Sequence, residues 1–116
     1  MPVSAAYRDY VLEQLGRVVT VTHRSMFGGV GLYAEGLFFG LMDDDTLYLK
    51  VDETNRPDFE AMGAEQFRPG GEGTPASNYY RLPEDLLEDP DTLRPWVERA
   101  LQVARRATRG KRPRRR

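Results

Sequence analysis

The chain contains no cysteine, one histidine and one tryptophan among its 116 residues. The absence of cysteine excludes a disulfide framework and any thiolate-based metal site. No apolar run approaches the roughly 18 consecutive residues that a membrane-spanning helix needs. The first residues also lack the basic-then-apolar pattern of a secretory signal. We therefore expect a single cytoplasmic domain.

The basic residues are concentrated at the end of the chain. Lys plus Arg number 17 and Asp plus Glu number 18, but residues 105–116 hold eight of the basic residues and no acidic one. The first 104 residues therefore have a net charge of −9. We expect a folded domain over residues 1–104 and a basic, disordered tail over residues 105–116. The basic residues of this tail are Arg105, Arg106, Arg109, Lys111, Arg112, Arg114, Arg115 and Arg116.

Three interpretations of the tail stay open. It is a solvated end, a nucleic-acid contact without sequence preference, or a contact for an anionic membrane surface or an acidic partner. The acidic body would repel a phosphate backbone, so nonspecific attraction to nucleic acid would have to come from the tail.

Residues 24–52 have the pattern of a β-meander. Three aromatic and apolar stretches, ending near residues 33, 42 and 51, are separated by the turns Ala34-Glu35-Gly36 and Asp43-Asp44-Asp45. Glycine and aspartate clusters are typical of such turns. The preceding residues 17–22 fit either a short strand or a linker.

Helices are predicted on both sides of the meander. Ser4 can cap a helix over residues 5–15. Thr54 or Asn55 can cap a second helix near residues 56–62, which would end at Gly63. Residues 64–82 indicate a looser hairpin with strands at Phe67 and at residues 79–82. Apolar residues at helical spacing predict a last helix from Asp91 to about residue 104. The order α-βββ-α-ββ-α predicts an α+β fold of two layers, a five-stranded antiparallel sheet with helices on one face.

Four groups of residues invite a functional interpretation, and for each the structural one is favoured. Gly28-Gly29-Val30-Gly31 lacks phosphate-loop spacing and leads into a strand, which favours a bulge or a close backbone approach. Asp43-Asp44-Asp45 suits a solvated turn better than a cation site. The single His23 has no partner for metal binding or catalysis in the sequence pattern. The acidic run of Glu84, Asp85, Glu88, Asp89 and Asp91 suits helix capping.

The aromatic residues are too many for one face of a five-stranded sheet. Phe38-Phe39 and Tyr79-Tyr80 are adjacent pairs, and neighbouring residues of a strand point to opposite faces. One ring of each pair must therefore point away from the helices, either as a tolerated exposure or as a contact for a second chain. We expect a protein partner or a homodimer at this face. The whole aromatic set is Phe27, Tyr33, Phe38, Phe39, Tyr48, Tyr79 and Tyr80.

A family resemblance rests on two stretches. Arg24-x-Met26-Phe27-Gly28-Gly29-x-Gly31-Leu32-Tyr33 and Leu47-Tyr48-Leu49-Lys50-Val51-Asp52 together resemble the signature of the TfoX (Sxy) N-terminal domain family. The resemblance covers about residues 7–101. It implies the element order of the type III secretion-chaperone fold and a link to the regulation of bacterial natural competence. Full-length regulators of this family carry a second, C-terminal domain, so we expect a stand-alone N-terminal domain here. The motif residues are Arg24, Met26, Phe27, Gly28, Gly29, Gly31, Tyr33, Tyr48 and Lys50.

These observations predict a non-enzymatic regulatory or adaptor module that acts through protein contacts. The resemblance implies a part in competence and transcriptional regulation. The alternative is an accessory nucleic-acid binder that uses the tail. An enzyme is disfavoured because acid–base chemistry lacks a positioned His, Cys or Lys group here, and Lys50 and Arg24 are the basic residues close to the motif. We predict no catalytic residue, metal, cofactor, small-molecule substrate or membrane partner.

Overall fold

The fold is a five-stranded antiparallel sheet with helices packed against it. A computed structural model describes residues 3–26, 28–70 and 77–111, the last three of these without their side chains. The strands lie in the order β1-β2-β3-β4-β5, and each pairs antiparallel with the next. The predicted α+β class and the five-stranded antiparallel sheet are confirmed. The elements are α1 (Ala5–Gly16), β1 (Thr22–Met26), β2 (Gly29–Ala34), β3 (Leu37–Asp43), β4 (Thr46–Lys50), α2 (Arg56–Ala61), β5 (Tyr79–Arg81), α3 (Glu84–Leu87) and α4 (Pro90–Lys111).

The core lies between the helices and one face of the sheet. α4 packs across β3 and β4, and α1 and α3 pack beside it. Each leucine or phenylalanine that is fully buried here stabilises the fold by about 1.5–3 kcal/mol relative to an exposed position. The strands supply Val30, Leu32, Ala34, Phe39, Met42, Leu47, Leu49 and Tyr80, and the helices supply Val11, Leu15, Phe59, Leu87, Leu93, Val97, Ala100, Leu101 and Ala104.

Two tight turns set the register of the central strands. Glu35 and Gly36 have φ values of 57° and 74°, and Asp44 and Asp45 both have φ of 51°. Positive φ at both central residues is the type I′ geometry that matches the twist of a hairpin. The two turns predicted from the sequence are therefore confirmed.

The strands are distributed along the chain differently from the sequence prediction. An edge strand, β1, lies at residues 22–26, just after the segment 17–22 for which a short strand or a linker was left open, and four of its five residues are exposed. Met26 at the end of β1 lies opposite Gly29 at the start of β2, so the first predicted strand of the meander begins at Gly29. The strand predicted at Phe67 is reduced to a single bridge between Gln66 and Tyr80. Glycine and proline on its C-terminal side disfavour a longer strand.

α4 continues past residue 104 to Lys111, so the prediction of a disordered tail from Arg105 is not met for the first residues of that segment. Arg105 donates to both carboxylate oxygens of Glu35, at 2.8 and 3.0 Å. Arg106 donates to Asp52 Oδ2 at 3.1 Å. These acidic partners hold the end of the helix against two turns of the sheet. The division into a domain and a tail otherwise stays a prediction, because residues 112–116 lie outside the described residues.

Candidate functional site

The face of the sheet opposite the helices carries a continuous row of aromatic and cationic side chains, one from each strand. The rings of Tyr33 and Phe38 have centres 5.2 Å apart, and those of Phe38 and Tyr79 are 5.6 Å apart. The guanidinium carbon of Arg24 lies 5.5 Å from the centre of the Tyr33 ring. Lys50 Nζ lies 5.0 Å from the centre of the Tyr79 ring. We call Arg24, Tyr33, Phe38, Lys50 and Tyr79 the aromatic–cation row.

A bulge in the sheet places Phe38 in this row. Tyr33 lies opposite Phe38, whereas the preceding residue Leu32 lies opposite Gly40, so Phe39 is the extra residue. Phe39 is fully buried in the core, and Phe38 is left on the open face. The sequence required one ring of this pair to point away from the helices, and the bulge decides which one.

The second adjacent pair is divided in the same way. Tyr79 lies opposite Lys50 on the open face. Tyr80 is 6% exposed and packs on the core side, with its ring centre 5.7 Å from that of Phe59. The prediction that one ring of each adjacent pair points away from the helices is confirmed.

Hydrogen bonds hold both the side chain and the backbone carbonyl of Lys50. Its Nζ donates a hydrogen bond to Tyr79 Oη at 3.0 Å. Its carbonyl oxygen accepts from Asn55 Nδ2 at 3.2 Å, and Asn55 Oδ1 accepts from the Asp52 N–H at 2.9 Å. Asn55 is 1% exposed. The sequence suggested Asn55 only as a helix cap, and its buried side chain instead fastens the end of β4 beneath the row.

The hydroxyl of Tyr79 stays protonated at neutral pH. Burial, followed by the neighbouring Tyr33 phenol, raises the pKa of Tyr79 to about 12. Burial and then the carboxylates of Asp43 and Glu65 also raise the pKa of Tyr48 on the same face. Both phenols therefore act as hydrogen-bonding groups at neutral pH and not as charged ones.

The glycines of the motif allow the row to pack closely. A Cβ atom on Gly31 would lie 2.5 Å from Met26 Cε and 3.0 Å from Phe38 Cε1. A Cβ atom on Gly29 would lie 2.5 Å from the carbonyl oxygen of Met42. Gly28 has φ of 82°, in the region that favours glycine. The predicted close backbone approach is present at Gly29, whereas Gly31 makes room for side chains of the open face.

A groove of about 560 Å³ borders the row. Met26, Phe38, Leu41, Phe67 and Tyr79 form most of its apolar wall. Phe67 reaches this face by stacking on Tyr48, with ring centres 4.8 Å apart. The open face thus offers an apolar recess beside two cations.

The other residues singled out in the sequence take structural positions. His23 is exposed on β1, and Asp45 Oδ1 accepts a hydrogen bond of 2.7 Å from the Ser4 N–H at the start of α1. Asp89 Oδ1 accepts from the Asp91 N–H at 2.9 Å, so Asp89 and not Asp91 caps α4. Among the residues that the structure describes, no group of three or more His, Cys, Asp or Glu could hold a metal ion. None of the described helices is both long and apolar enough to cross a membrane.

The predicted nucleic-acid residues and the motif are only partly described. Arg105 and Arg106 form ion pairs with the folded body. Arg109 and Lys111 belong to the last turn of α4, which is described by its backbone. Phe27 of the motif and four basic residues of the tail lie outside the described residues. These four are Arg112, Arg114, Arg115 and Arg116.

Comparison with known proteins confirms the family that the sequence resembles. The TfoX N-terminal domain family matches residues 13–104. The DNA transformation protein TfoX1 of Aliivibrio fischeri is 35% identical over 95 residues, which are 81% of this chain and 44% of that protein. The chain therefore spans less than half the length of this curated relative. A match over most of the folded body shows that the chain belongs to the TfoX N-terminal domain family.

Proposed function

We propose that this chain is a regulatory module that acts by protein contacts at the open face of its sheet, in a role related to bacterial transformation. The aromatic–cation row carries the proposal, because it holds three partly exposed rings and two cations on the face that the helices leave uncovered. Tyrosine and arginine are enriched at the centres of protein interfaces, where large rings bury much area at a small entropic cost. The relative named as a DNA transformation protein supports the biological role.

An enzymatic role for this face is disfavoured by its chemistry. A general acid or base works best when its pKa lies near the working pH. The pKa of Tyr79 is raised to about 12, and the pKa of Tyr48 is also raised above its ordinary value. Phenols with such pKa values suit hydrogen bonding within a contact surface better than proton transfer.

The proposal is tested by photo-crosslinking in the organism that encodes the protein. A photoreactive phenylalanine analogue replaces Tyr33 in the row, and in a second strain it replaces Tyr10, which is 37% exposed on α1. We expect a discrete protein adduct from position 33 and none from position 10. Adducts from position 10 alone, or from neither position, would contradict a contact at the open face.

The nucleic-acid alternative depends on the part of the tail beyond the ion pairs. Arg105 and Arg106 pair with Glu35 and Asp52, which leaves six of the eight basic residues of the tail to attract a phosphate backbone. Binding to duplex and single-stranded DNA is measured across a salt series for the full chain and for a chain that ends at Thr108, which removes all six. This truncation keeps both ion pairs. Salt-sensitive binding that the truncation removes supports the alternative, and equal or absent binding by both chains contradicts it.

A further inference from the structure

The charge of the open face differs from that of the rest of the domain. Residues 1–104 have a net charge of −9. The strand register nevertheless directs Arg24, Lys50 and Arg81 to the open face, against one acidic strand residue, Asp43. An acidic protein that concentrates cations on its one uncovered sheet face presents a local attraction for negative charge.

From this arrangement we infer that the aromatic–cation row binds an acidic partner segment, in which carboxylates flank an aromatic or large apolar side chain. The inference rests on the proposed function and names the chemistry of the partner. The rings of Tyr33, Phe38 and Tyr79 provide the surface for the apolar side chain. Arg24 lies on one side of the Tyr33 and Phe38 rings, and Lys50 lies on the other side of them, between Phe38 and Tyr79.

The two cations are held in place before a partner arrives. Arg24 rests on the Tyr33 ring, and Lys50 is bound to the Tyr79 hydroxyl at 3.0 Å. Fixing a charged side chain in advance lowers the entropic cost of binding. It also makes the cations a selective feature, since a basic or neutral segment would gain nothing from them.

The positions of Arg24 and Lys50 on the sheet suggest how far apart the two carboxylates of the partner segment lie. Arg24 is on β1 and aligns with Tyr48 on β4, so Lys50 is three strand intervals away and two residues further along its strand. At the usual strand spacing and rise the two Cα atoms are about 16 Å apart, a span that two acidic side chains reaching outward from a peptide of nearly this length can cover. An extended peptide advances about 13 Å over four residues, and its residues i, i+2 and i+4 share one side. A segment with acidic residues at i and i+4 and an aromatic residue at i+2 therefore matches the row.

A second copy of the chain is a poorer occupant of this face. A two-fold symmetric contact brings the same surface of both copies together. Arg24 and Lys50 of one copy would then meet the same cations of the other, and like charges repel. A contact between the open face and the acidic back of another copy would not close into a dimer.

The inference is tested with a displayed library of random linear peptides, selected against the full chain. We expect enriched peptides to carry Asp or Glu two residues on either side of an aromatic residue. The double substitution Arg24→Glu and Lys50→Glu should weaken their binding by about tenfold or more. The matched control Arg8→Glu and Arg17→Glu makes the same change of charge on α1 and at the residue that follows it, and should leave the binding unchanged. Circular dichroism confirms that each variant is folded.

The other outcomes separate the two proposals. Peptides that bind the charge-reversed variant equally well, but fail to bind a Phe38→Ser variant, would overturn the acidic partner and keep the open face as a contact surface. No enrichment, or enrichment that Phe38→Ser does not affect, would overturn both. A dimer in sedimentation experiments that Phe38→Ser dissociates would identify a second copy as the occupant and overturn the inference.

Discussion

Lys50 Nζ donates a hydrogen bond of 3.0 Å to Tyr79 Oη and so joins β4 to β5 across the open face. The two residues are direct neighbours in the strand register. The ammonium group also lies 6.0 Å from the centre of the Phe38 ring. This contact links the cation, the phenol and the central ring of the row. Because burial and the neighbouring Tyr33 raise the pKa of Tyr79, its titration reports whether the row is intact.

Tyr79 should make the stability of the domain sensitive to alkaline pH. Folding raises the pKa of Tyr79 from 10.0 to about 12, and the folded state therefore favours the protonated hydroxyl. This contribution to stability is complete below about pH 10 and is lost as the pH rises through about 12. Urea denaturation at several pH values should show a steeper loss of stability for the wild type than for Tyr79→Phe. Parallel pH profiles would contradict the raised pKa.

The motif glycines should differ in their tolerance of alanine. Gly29→Ala places a Cβ atom against the backbone oxygen of Met42, which cannot move away on its own. Gly31→Ala presses mainly on the flexible end of Met26 and should cost about 1–3 kcal/mol. We expect the larger loss of stability from Gly29→Ala.

Gly16→Ala is the control for both variants. A Cβ atom there meets nothing within 4 Å. Alanine at this helical position should be neutral or should stabilise the domain by up to about 1 kcal/mol. Thermal denaturation of the three variants measures the order. Equal stability of Gly29→Ala and Gly16→Ala would contradict a close approach between β2 and β3.

Asn55 should be needed to hold the end of β4. Asn55→Ala leaves the Lys50 carbonyl and the Asp52 N–H without the side chain that pairs them. Loss of such buried hydrogen bonds costs about 1–3 kcal/mol. Urea denaturation should show this loss, and Asn78→Ala, at an exposed position, should remain close to the wild type. A wild-type midpoint for Asn55→Ala would contradict the role of the buried amide.

The ion pair between Arg106 and Asp52 should stabilise the domain only at pH values at which the Asp52 carboxyl is ionised. Burial alone would raise the pKa of Asp52, but hydrogen bonds from Thr54 and the Arg106 guanidinium lower it. The contribution of the ion pair to the free energy of unfolding is therefore present above about pH 3.9 and is lost as the pH falls below that value. Since both side chains are partly exposed, we expect Arg106→Gln to cost only about 0.5–1 kcal/mol near neutral pH.

The difference between Arg106→Gln and the wild type should disappear at strongly acidic pH, as measured by urea denaturation. Arg94→Gln removes an exposed pair within α4, 3.3 Å from Asp91, and should change little at any pH. A penalty for Arg106→Gln that persists unchanged in acid would show that packing, and not the charge of Asp52, holds the helix end.

The sequence predicted the elements that are marked by residues close together in the chain. The turns around Glu35 and Asp44 have characteristic residues, and the last helix has a long apolar stripe. The strand Thr22–Met26 escaped detection because it lies at the edge of the sheet and buries almost nothing, so its residues need not alternate. The end of α4 was also missed, because Arg105 and Arg106 find their partners in turns more than 50 residues away.

The candidate site was predictable in part. The adjacent rings of Phe38 and Phe39 required an aromatic residue on the open face, and the motif already contained Arg24, Tyr33 and Lys50. The sequence could not show that these residues form one row, since the bulge beside Tyr33 decides which phenylalanine turns outward. It also could not show the buried side chain of Asn55, because polar residues at that point of the chain fit a helix cap equally well.

The most direct measurement is the transformation frequency of the organism that encodes the protein, with the chromosomal gene replaced by variants of equal abundance. One strain carries Tyr33→Ser and Phe38→Ser in the aromatic–cation row, and the control strain carries Tyr10→Ser on α1. If the open face is the functional surface, the first strain should behave like a deletion and the second like the wild type. Wild-type transformation by a folded row variant would contradict a function at this face.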